Sequence, residues 1–300
     1  MIIVTLVATL ASAMVWQQWR AVQVEAAERA RTQSAWILSG ALDFAKLILR
    51  EDARSERGKK VTALTEPWAT PLAESRLSTF LAADKANADD GPEAFLSGYI
   101  TDAQARYNLR NMVGTAGKPD EAEVQAFERL CDLLGIEISV ARLIATAMQD
   151  ATASSASSSA KLEPKSVAQI AWLGIQPSTV QVLQGYVVLL PAKTAINVNT
   201  APKEVLVAVI RGLDASTAER IVQARQRTPF NDMPAVRREF PALQAENEPN
   251  IDVKSEYFEI TGRLRLADHV LTERSLVKRE KSRIEVIVRD RVASLEQIGS

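Results

Sequence analysis

The first sixteen residues set the problem. Ile2 to Trp16 carries no charge, and Thr5, Thr9 and Ser12 are its only polar members. Helical punctuation stays clean well beyond that run. No proline occurs before Pro67, and Gly40 is the only glycine before Gly58. Ile37, Leu38, Ala41, Leu42, Ala45, Ile48 and Leu49 recur at i, i+3, i+4, i+7, with Asp43 and Lys46 off that stripe. The pattern predicts one helix over residues 2–55, apolar all round at first and amphipathic later. Its first half suits lipid or other helices, and its second half suits the surface of a globular domain. Trp16, Trp19 and Arg20 fit a membrane–water boundary, where amphipathic rings and the first positive charge gather.

As an anchor the apolar run is short: at 1.5 Å per residue it spans about 22 Å, against roughly 30 Å of hydrocarbon. A cleaved secretory signal is the rival reading, with Ala11-Ser12-Ala13 as a cleavage site. Such a signal needs basic residues ahead of the apolar run, and here the run starts directly after Met1. The unbroken helical period beyond residue 16 also favours retention.

Further along, the period changes twice. Lys59 to Pro92 is polar and interrupted by Pro67, Pro71 and Asp89-Asp90-Gly91-Pro92, so loops with short elements are expected. Phe95 to Thr101 alternates as a strand does. From about 106 to 245 the helical period returns. Pro119-Asp120-Glu121 opens a helix through Val124, Phe127, Leu130, Cys131 and Leu134, and Gly135 closes it. Val140, Leu143, Ile144 and Ala147 mark another. Ala151 to Ala160, almost all Ser and Ala, reads as a linker. Ser166–Leu173 and Ser178–Leu190 read as helices, the second ended by Pro191. Tyr257–Thr261 and Arg283–Arg289 alternate again as half-buried strands. Strands enclosing a helical block imply an α+β fold carrying an inserted all-α domain.

Ile196 to Leu243 has finer grammar. Thr200 is placed to cap a helix with Pro202 and Glu204 in its first turn and Val205, Leu206, Val209 and Ile210 on its core face. Gly212-Leu213-Asp214 turns the chain. Ser216 and Glu219 have capping-box spacing, Ala218, Ile221 and Val222 follow, and Pro229 stops the second helix. This is a helix-hairpin-helix, a motif that grips DNA phosphates through backbone amides. Seven basic residues against five acidic ones give the segment a net charge of only +2, less than a phosphate-binding face needs. Asp214 also stands beside the single hairpin glycine.

Composition changes little. Of 300 residues, 47% are hydrophobic and 24% charged, with a net charge of −1. That is enough apolar material for two cores, with no whole-chain field for nucleic acid. Cys131, the lone cysteine, excludes an internal disulfide and falls at helical spacing among apolar residues, as a core residue does. His269, the sole histidine, has no metal-ligand company and reads as a surface residue. No nucleophile–base set, phosphate loop or paired carboxylates stand out. No residue is assigned to catalysis, a cofactor or a metal, and the chain is expected not to be an enzyme.

Two stretches carry a family resemblance. Residues 189–206, Leu-Leu-Pro-Ala-Lys-Thr-Ala-Ile-Asn-Val-Asn-Thr-Ala-Pro-Lys-Glu-Val-Leu, resemble a signature of the K-type minor pseudopilins of type II secretion systems (general secretion pathway protein K). Tyr107-Asn108-Leu109-Arg110-Asn111, just after Asp102, is similar to that family's upstream Asn-rich segment. The resemblance implies a pseudopilin fold: an anchor helix at 1–20, a pseudopilin helix and first part of the sheet domain at 21–103, an inserted SAM-like helical domain with the helix-hairpin-helix at 104–248, and closing strands at 249–300. It implies single-pass residence in the bacterial inner membrane with the globular part in the periplasm. It also implies a place at the pseudopilus tip with I- and J-type minor pseudopilins, contact with other pseudopilins and the secretion platform, and neither nucleic acid nor a small-molecule substrate as partner. The absence of an acid before Glu25 fits a subunit with none above it. Family members can bind calcium. Glu246, Glu248, Asn250, Asp252 and Glu256 offer hard oxygen ligands, but without fixed spacing they read as a solvated loop. Prepilins begin with a short basic leader ending in Gly, so the short apolar run is expected to reflect a precursor that starts upstream of Met1. The alternative function is a membrane-anchored helix-hairpin-helix DNA receptor.

Overall fold

A single helix, α1 (Ile2–Arg54), runs through the first 53 described residues, about 80 Å at helical rise. The computed structural model describes residues 2–54, 61–77, 94–114, 118–153, 163–241, 250–266, 269–281 and 283–295. From Ile2 to Arg29 every residue of α1 is exposed. Burial begins where the amphipathic stripe begins: Ser34, Leu38, Leu42, Leu49 and Asp52 form one buried face. This is the division the periodicity predicts. A helix apolar all round has no protein side to face, and an amphipathic one does. It is also long and apolar enough to cross a membrane. The Arg20 guanidinium stacks 5.6 Å from the Trp16 ring centroid.

The buried face of α1 lies on a five-stranded antiparallel sheet, ordered β1 (Leu72–Arg76), β2 (Ala94–Asp102), β7 (Tyr257–Leu266), β8 (His269–Glu280) and β9 (Arg283–Leu295). Leu38 packs with Leu96 and Leu264. Leu42 and Leu49 pack with Trp68, Ile100, Phe258, Ile260 and Val277. The helix comes in closely over Gly262, the cross-strand partner of Gly98, because it has no side chain. A Cβ on Gly262 would lie 3.2 Å from Leu38 Cδ2.

Strands β2 and β7 pair in register from Ala94↔Leu266 to Asp102↔Phe258, and everything between Asp102 and Tyr257 leaves the sheet and returns. That excursion is mainly helical: α2 (Glu121–Leu133), α3 (Ile138–Ala153), a 3₁₀ turn (Val167–Leu173), α4 (Pro177–Gln184), α5 (Lys203–Val209), α6 (Ala215–Arg227) and α7 (Met233–Glu239). Two short parallel ladders join it: β3 (Tyr107–Asn108) with β4 (Val187–Val188), and β5 (Ile196–Asn197) with β6 (Ile251–Asp252). Its core is continuous, from Tyr107, Phe127 and Ile144 to Leu206, Ile221 and Val253. The rings of Tyr107 and Phe127 stack at 5.5 Å. The fold is thus α+β with a helical body set between two neighbouring strands.

Several local expectations need correction. The helix expected over Ser178–Leu190 ends at Gln184, because Val187 and Val188 pair with β3 instead. The Ser166–Leu173 segment is a 3₁₀ turn rather than an α-helix. The Ser/Ala linker begins later than its composition suggests, since α3 continues to Ala153; its remainder lies outside the described residues, as do the Asp89–Pro92 turn and the His269 side chain. Thr200 caps nothing: Pro202 is the N-cap of α5, without a side-chain bond. Asp214, not Ser216, caps α6 by accepting from the Thr217 N–H at 2.9 Å. Cys131 is buried as expected, and burial pushes its thiol up to about 12.

Leu49 is fully buried between α1 and the sheet. Leu49→Ala is expected to destabilise the protein by about 2–5 kcal/mol, read as a lowered denaturant midpoint with an unchanged slope. A loss under about 1 kcal/mol would mean that the α1–sheet contact closes around the cavity.

Candidate functional site: the asparagine framework

The four asparagines of the two sequence signatures and Thr200 are buried, and each is hydrogen-bonded within the fold. Asn108, 0% exposed, donates to Ala192 O at 2.7 Å and Thr194 Oγ1 at 3.1 Å. Its Oδ1 accepts from the N–H groups of Leu190 and Arg110. Asn111 takes both main-chain groups of Thr194: its Nδ2 donates to the carbonyl at 2.9 Å and its Oδ1 accepts from the N–H at 3.0 Å. Arg110 Nε donates to Leu190 O at 2.9 Å and its guanidinium pairs with Glu163. The upstream Asn-rich segment thus holds the Leu190–Thr194 loop in place. An Asn side chain offers an acceptor and two donors in one plane, matching the amide of the segment it holds.

The second signature does the same at larger scale. Asn197 Nδ2 lies 2.9 Å from each of Thr62 O, Asp102 Oδ2 and Ser255 Oγ, and its Oδ1 accepts from Asn199 N. Asn199 holds both main-chain groups of Phe230. Thr200 Oγ1 donates to Asp102 Oδ2 at 2.6 Å, and so does Ser255 Oγ. Asp102 Oδ1 accepts from Gln104 N at 2.8 Å. Asp102, the last residue of β2, therefore sits among four donors from three separate stretches of chain.

An ion pair joins this network to α1. Arg279 on β8 pairs with Asp52, near the end of α1, at 2.6 Å, both side chains under a tenth exposed. The same guanidinium donates to Thr62 Oγ1 and Ser255 O and lies 4.5 Å over the Phe258 ring. Arg106–Glu259 at 2.7 Å and Gln104, which bonds Ala195 O, Glu256 N and Tyr257 N, complete the seam between body and sheet. The sequence signatures flagged Asp102, Asn108, Asn111, Asn197 and Thr200. They did not flag Thr62, Ser255, Gln104, Asp52 or Arg279, for which the one available signal was Arg279 at a period-two position with Val277.

Burial pushes the carboxyls of Asp52, Asp102, Glu66 and Glu123 above their ordinary values, opposed by Arg279 at Asp52, by hydroxyl and amide donors at Asp102, and by the Trp68 and Tyr107 donors at Glu66 and Glu123.

The acid-rich loop named as a source of calcium ligands is only partly described. Glu246 and Glu248 lie outside the described residues. Asn250 turns its amide nitrogen to Thr194 O, and Asp252 Oδ1 accepts from Val253 N at 2.7 Å. Among the described residues no three His, Cys, Asp or Glu side chains gather in a metal-binding group.

The helix-hairpin-helix forms, with Gly212 at φ +80 in its turn. The Asp214 carboxylate at the start of its second helix accepts from Thr217 N–H and from the hydroxyls of Ser216 and Thr217, which hold it well below the usual carboxylate range.

Known proteins are similar to this chain. Family models described as "Type II secretion system (T2SS), protein K" match residues 105–192 and 196–254, the stretches that hold the two asparagine signatures. The chain belongs to the type II secretion system protein K family. Type II secretion system protein K of Pseudomonas aeruginosa is 25% identical over 316 aligned residues, covering 97% of this chain and 90% of that protein. A chain in the crystal structure of the GspK–GspI–GspJ complex from enterotoxigenic Escherichia coli has the same fold, with a TM-score of 0.68, 19% identity, and 89% of this chain and 99% of that chain covered.

Asn197→Ala is expected to cost about 3 kcal/mol or more, since it leaves buried groups of Thr62, Asp102 and Asn199 short of a partner. Thr200→Val, which removes one of four donors to Asp102, is expected to cost about 1 kcal/mol. Equal losses in chemical denaturation would contradict the shared network.

The four raised carboxyls hold protons more tightly folded than unfolded. Their contribution is therefore full below the ordinary carboxylate values and fades as pH rises through the raised ones. Stability is expected to fall from that lower range toward neutrality, and Glu123→Gln is expected to flatten part of the slope. A curve rising steadily to neutral pH would contradict this.

Proposed function

We propose that this protein is a minor pseudopilin at the tip of the type II secretion pseudopilus. It is anchored in the bacterial inner membrane by α1, holds its globular part in the periplasm, and assembles with I- and J-type minor pseudopilins beneath it. One observation carries the reading. The inserted body is fastened at the far end of α1, through Asp52–Arg279, Thr62, Ser255, Asp102 and Asn197. Asp52 lies some 48 Å along the helix from Arg20 at its rise per residue. A filament of such subunits grows by stacking long helices side by side. A bulky body at the distal end obstructs the place of a further subunit above it, so the subunit fits at an end of the filament.

The resemblance to a chain from the GspK–GspI–GspJ complex supports the choice of partners. Contact with other pseudopilins and the secretion platform belongs to the same reading. The role is structural rather than catalytic. The polar groups of the asparagine framework are committed to hydrogen bonds within the fold, and the Cys131 thiol is buried and held protonated at neutral pH. The DNA-receptor alternative is disfavoured by Asp214, which puts a carboxylate where the hairpin would hold a phosphate.

Co-expression of the full chain with I- and J-type proteins from one system, followed by affinity purification from detergent, is expected to recover a complex that survives high salt. Recovery of the chain alone, with tight and steeply salt-dependent binding of duplex DNA, would favour the receptor instead.

A further inference from the structure

The sheet face beneath α1 has a gap in its side-chain cover. Gly98 pairs with Gly262, and Gly262 with Glu273 on β8, so this row meets the helix with two bare positions and then a carboxylate. The helix answers with small residues, Ala41 and Ala45. A cavity of about 80 Å³ results, with Leu38, Leu42, Trp68, Leu96 and Ile260 among its walls and Glu273 and Ser275 at its β8 end.

Two polar atoms at that end lack hydrogen-bond partners. Ser275 is 1% exposed and its Oγ is unpaired. Glu273 is 3% exposed; its Oε2 accepts from Arg291 at 2.5 Å, while its Oε1 lies 3.2 Å from Arg289 Nε without hydrogen-bond geometry. A hydroxyl and a carboxylate oxygen buried beside an apolar hole call for a donor. The hole runs into a second apolar hollow along α1, lined by Trp36, Phe44, Leu72 and Leu77, and Trp36 is 75% exposed.

We propose that this notch is the socket for a tyrosine side chain of a partner subunit, its ring entering the hole lined by Ala41, Ala45 and Gly98 and its phenolic O–H donating to Glu273 Oε1 beside Ser275. The charge balance selects the occupant. An anion would meet the Glu273 carboxylate, and a cation gains little from a carboxylate that two arginines already neutralise. A neutral donor on an apolar body remains, and a phenol is that group. The apolar rim beyond the hole matches an anchor side chain ringed by protein contact, which a free small molecule would not need. The proposal rests on the assembly reading above.

The probes are p-cresol, the tyrosine side-chain analogue, and toluene, titrated into the full chain in lipid nanodiscs while the amide resonances of Gly98, Gly262 and Ser275 are followed by NMR. The cresol is expected to bind about tenfold more tightly than toluene, the worth of one hydrogen bond to a buried charged group. Ser275→Ala is expected to shrink that preference, and Ala45→Leu to exclude both probes and to lower recovery of I- and J-type partners at least fivefold. Ala41→Val serves if helix melting shows Ala45→Leu misfolded. Equal binding of the two probes overturns the socket, and so does a variant that excludes cresol yet retains its partners. If the unaltered chain recovers no partner, the assembly reading fails, and the probe comparison still decides whether the notch selects a phenol.

Discussion

A carboxylate sealed away from water must be ringed by donors or give up its charge, and that requirement organises this molecule around Asp102. It is the last residue of β2, where the chain leaves the sheet. Its two oxygens accept from Gln104 just beyond it, from Asn197 and Thr200 in the helical body, and from Ser255 at the point of return. Exit, body and re-entry are therefore tied to a single group. Without those donors the insertion would lose the one group that ties its exit, its body and its re-entry together.

The fastening is polar for a physical reason. Apolar contacts tolerate sliding, because one packed arrangement differs little in energy from the next, whereas a satisfied buried network has one geometry and a steep penalty for every other. The body has a large apolar core of its own. What the seam supplies is direction. Arg279 extends the same logic to α1, holding Asp52 in a pair that would be costly to break. A buried ion pair is a weak contributor to stability beside an apolar substitute, so its presence here fits orientation better than strength.

This division also explains what the sequence disclosed. Apolar period exposed α1, β2, β7 and β9, since each puts hydrophobic residues on its buried face. It hid β8, whose face toward α1 carries Glu273, Ser275, Val277 and Arg279: three of the four are polar, so the strand's alternation runs against its burial. The pattern places the cap of α6 two residues late because Asp214 and Ser216 are both good caps, and only the turn after Gly212 decides which one reaches the free N–H groups. Thr200 looked like a cap by position but spends its hydroxyl on Asp102, a tertiary partner 98 residues away. The pattern carries the helix after Pro177 too far because Tyr186–Leu190 is apolar throughout. A short buried run has no period of its own, and pairing with Tyr107 and Asn108 settled it as a strand. Local chemistry was legible, while polar groups buried by distant partners were not.

The two signatures share one principle. Each uses asparagine where a loop must be held by its main chain: Asn108 and Asn111 grip Leu190 to Thr194, Asn199 grips Phe230, and Asn197 grips Thr62. Aspartate in those places would bring acceptors without donors and a charge to neutralise, and glutamine would add a rotatable bond to fix. The Asn-rich words are therefore the clamps of a scaffold, which leaves the outer surfaces of α1 and the body free for partners. In a subunit whose work is assembly, the residues that identify the family can lie where no partner touches them. The residues that choose partners are then to be sought on faces with no recognisable signature, such as the bare glycine row beneath α1.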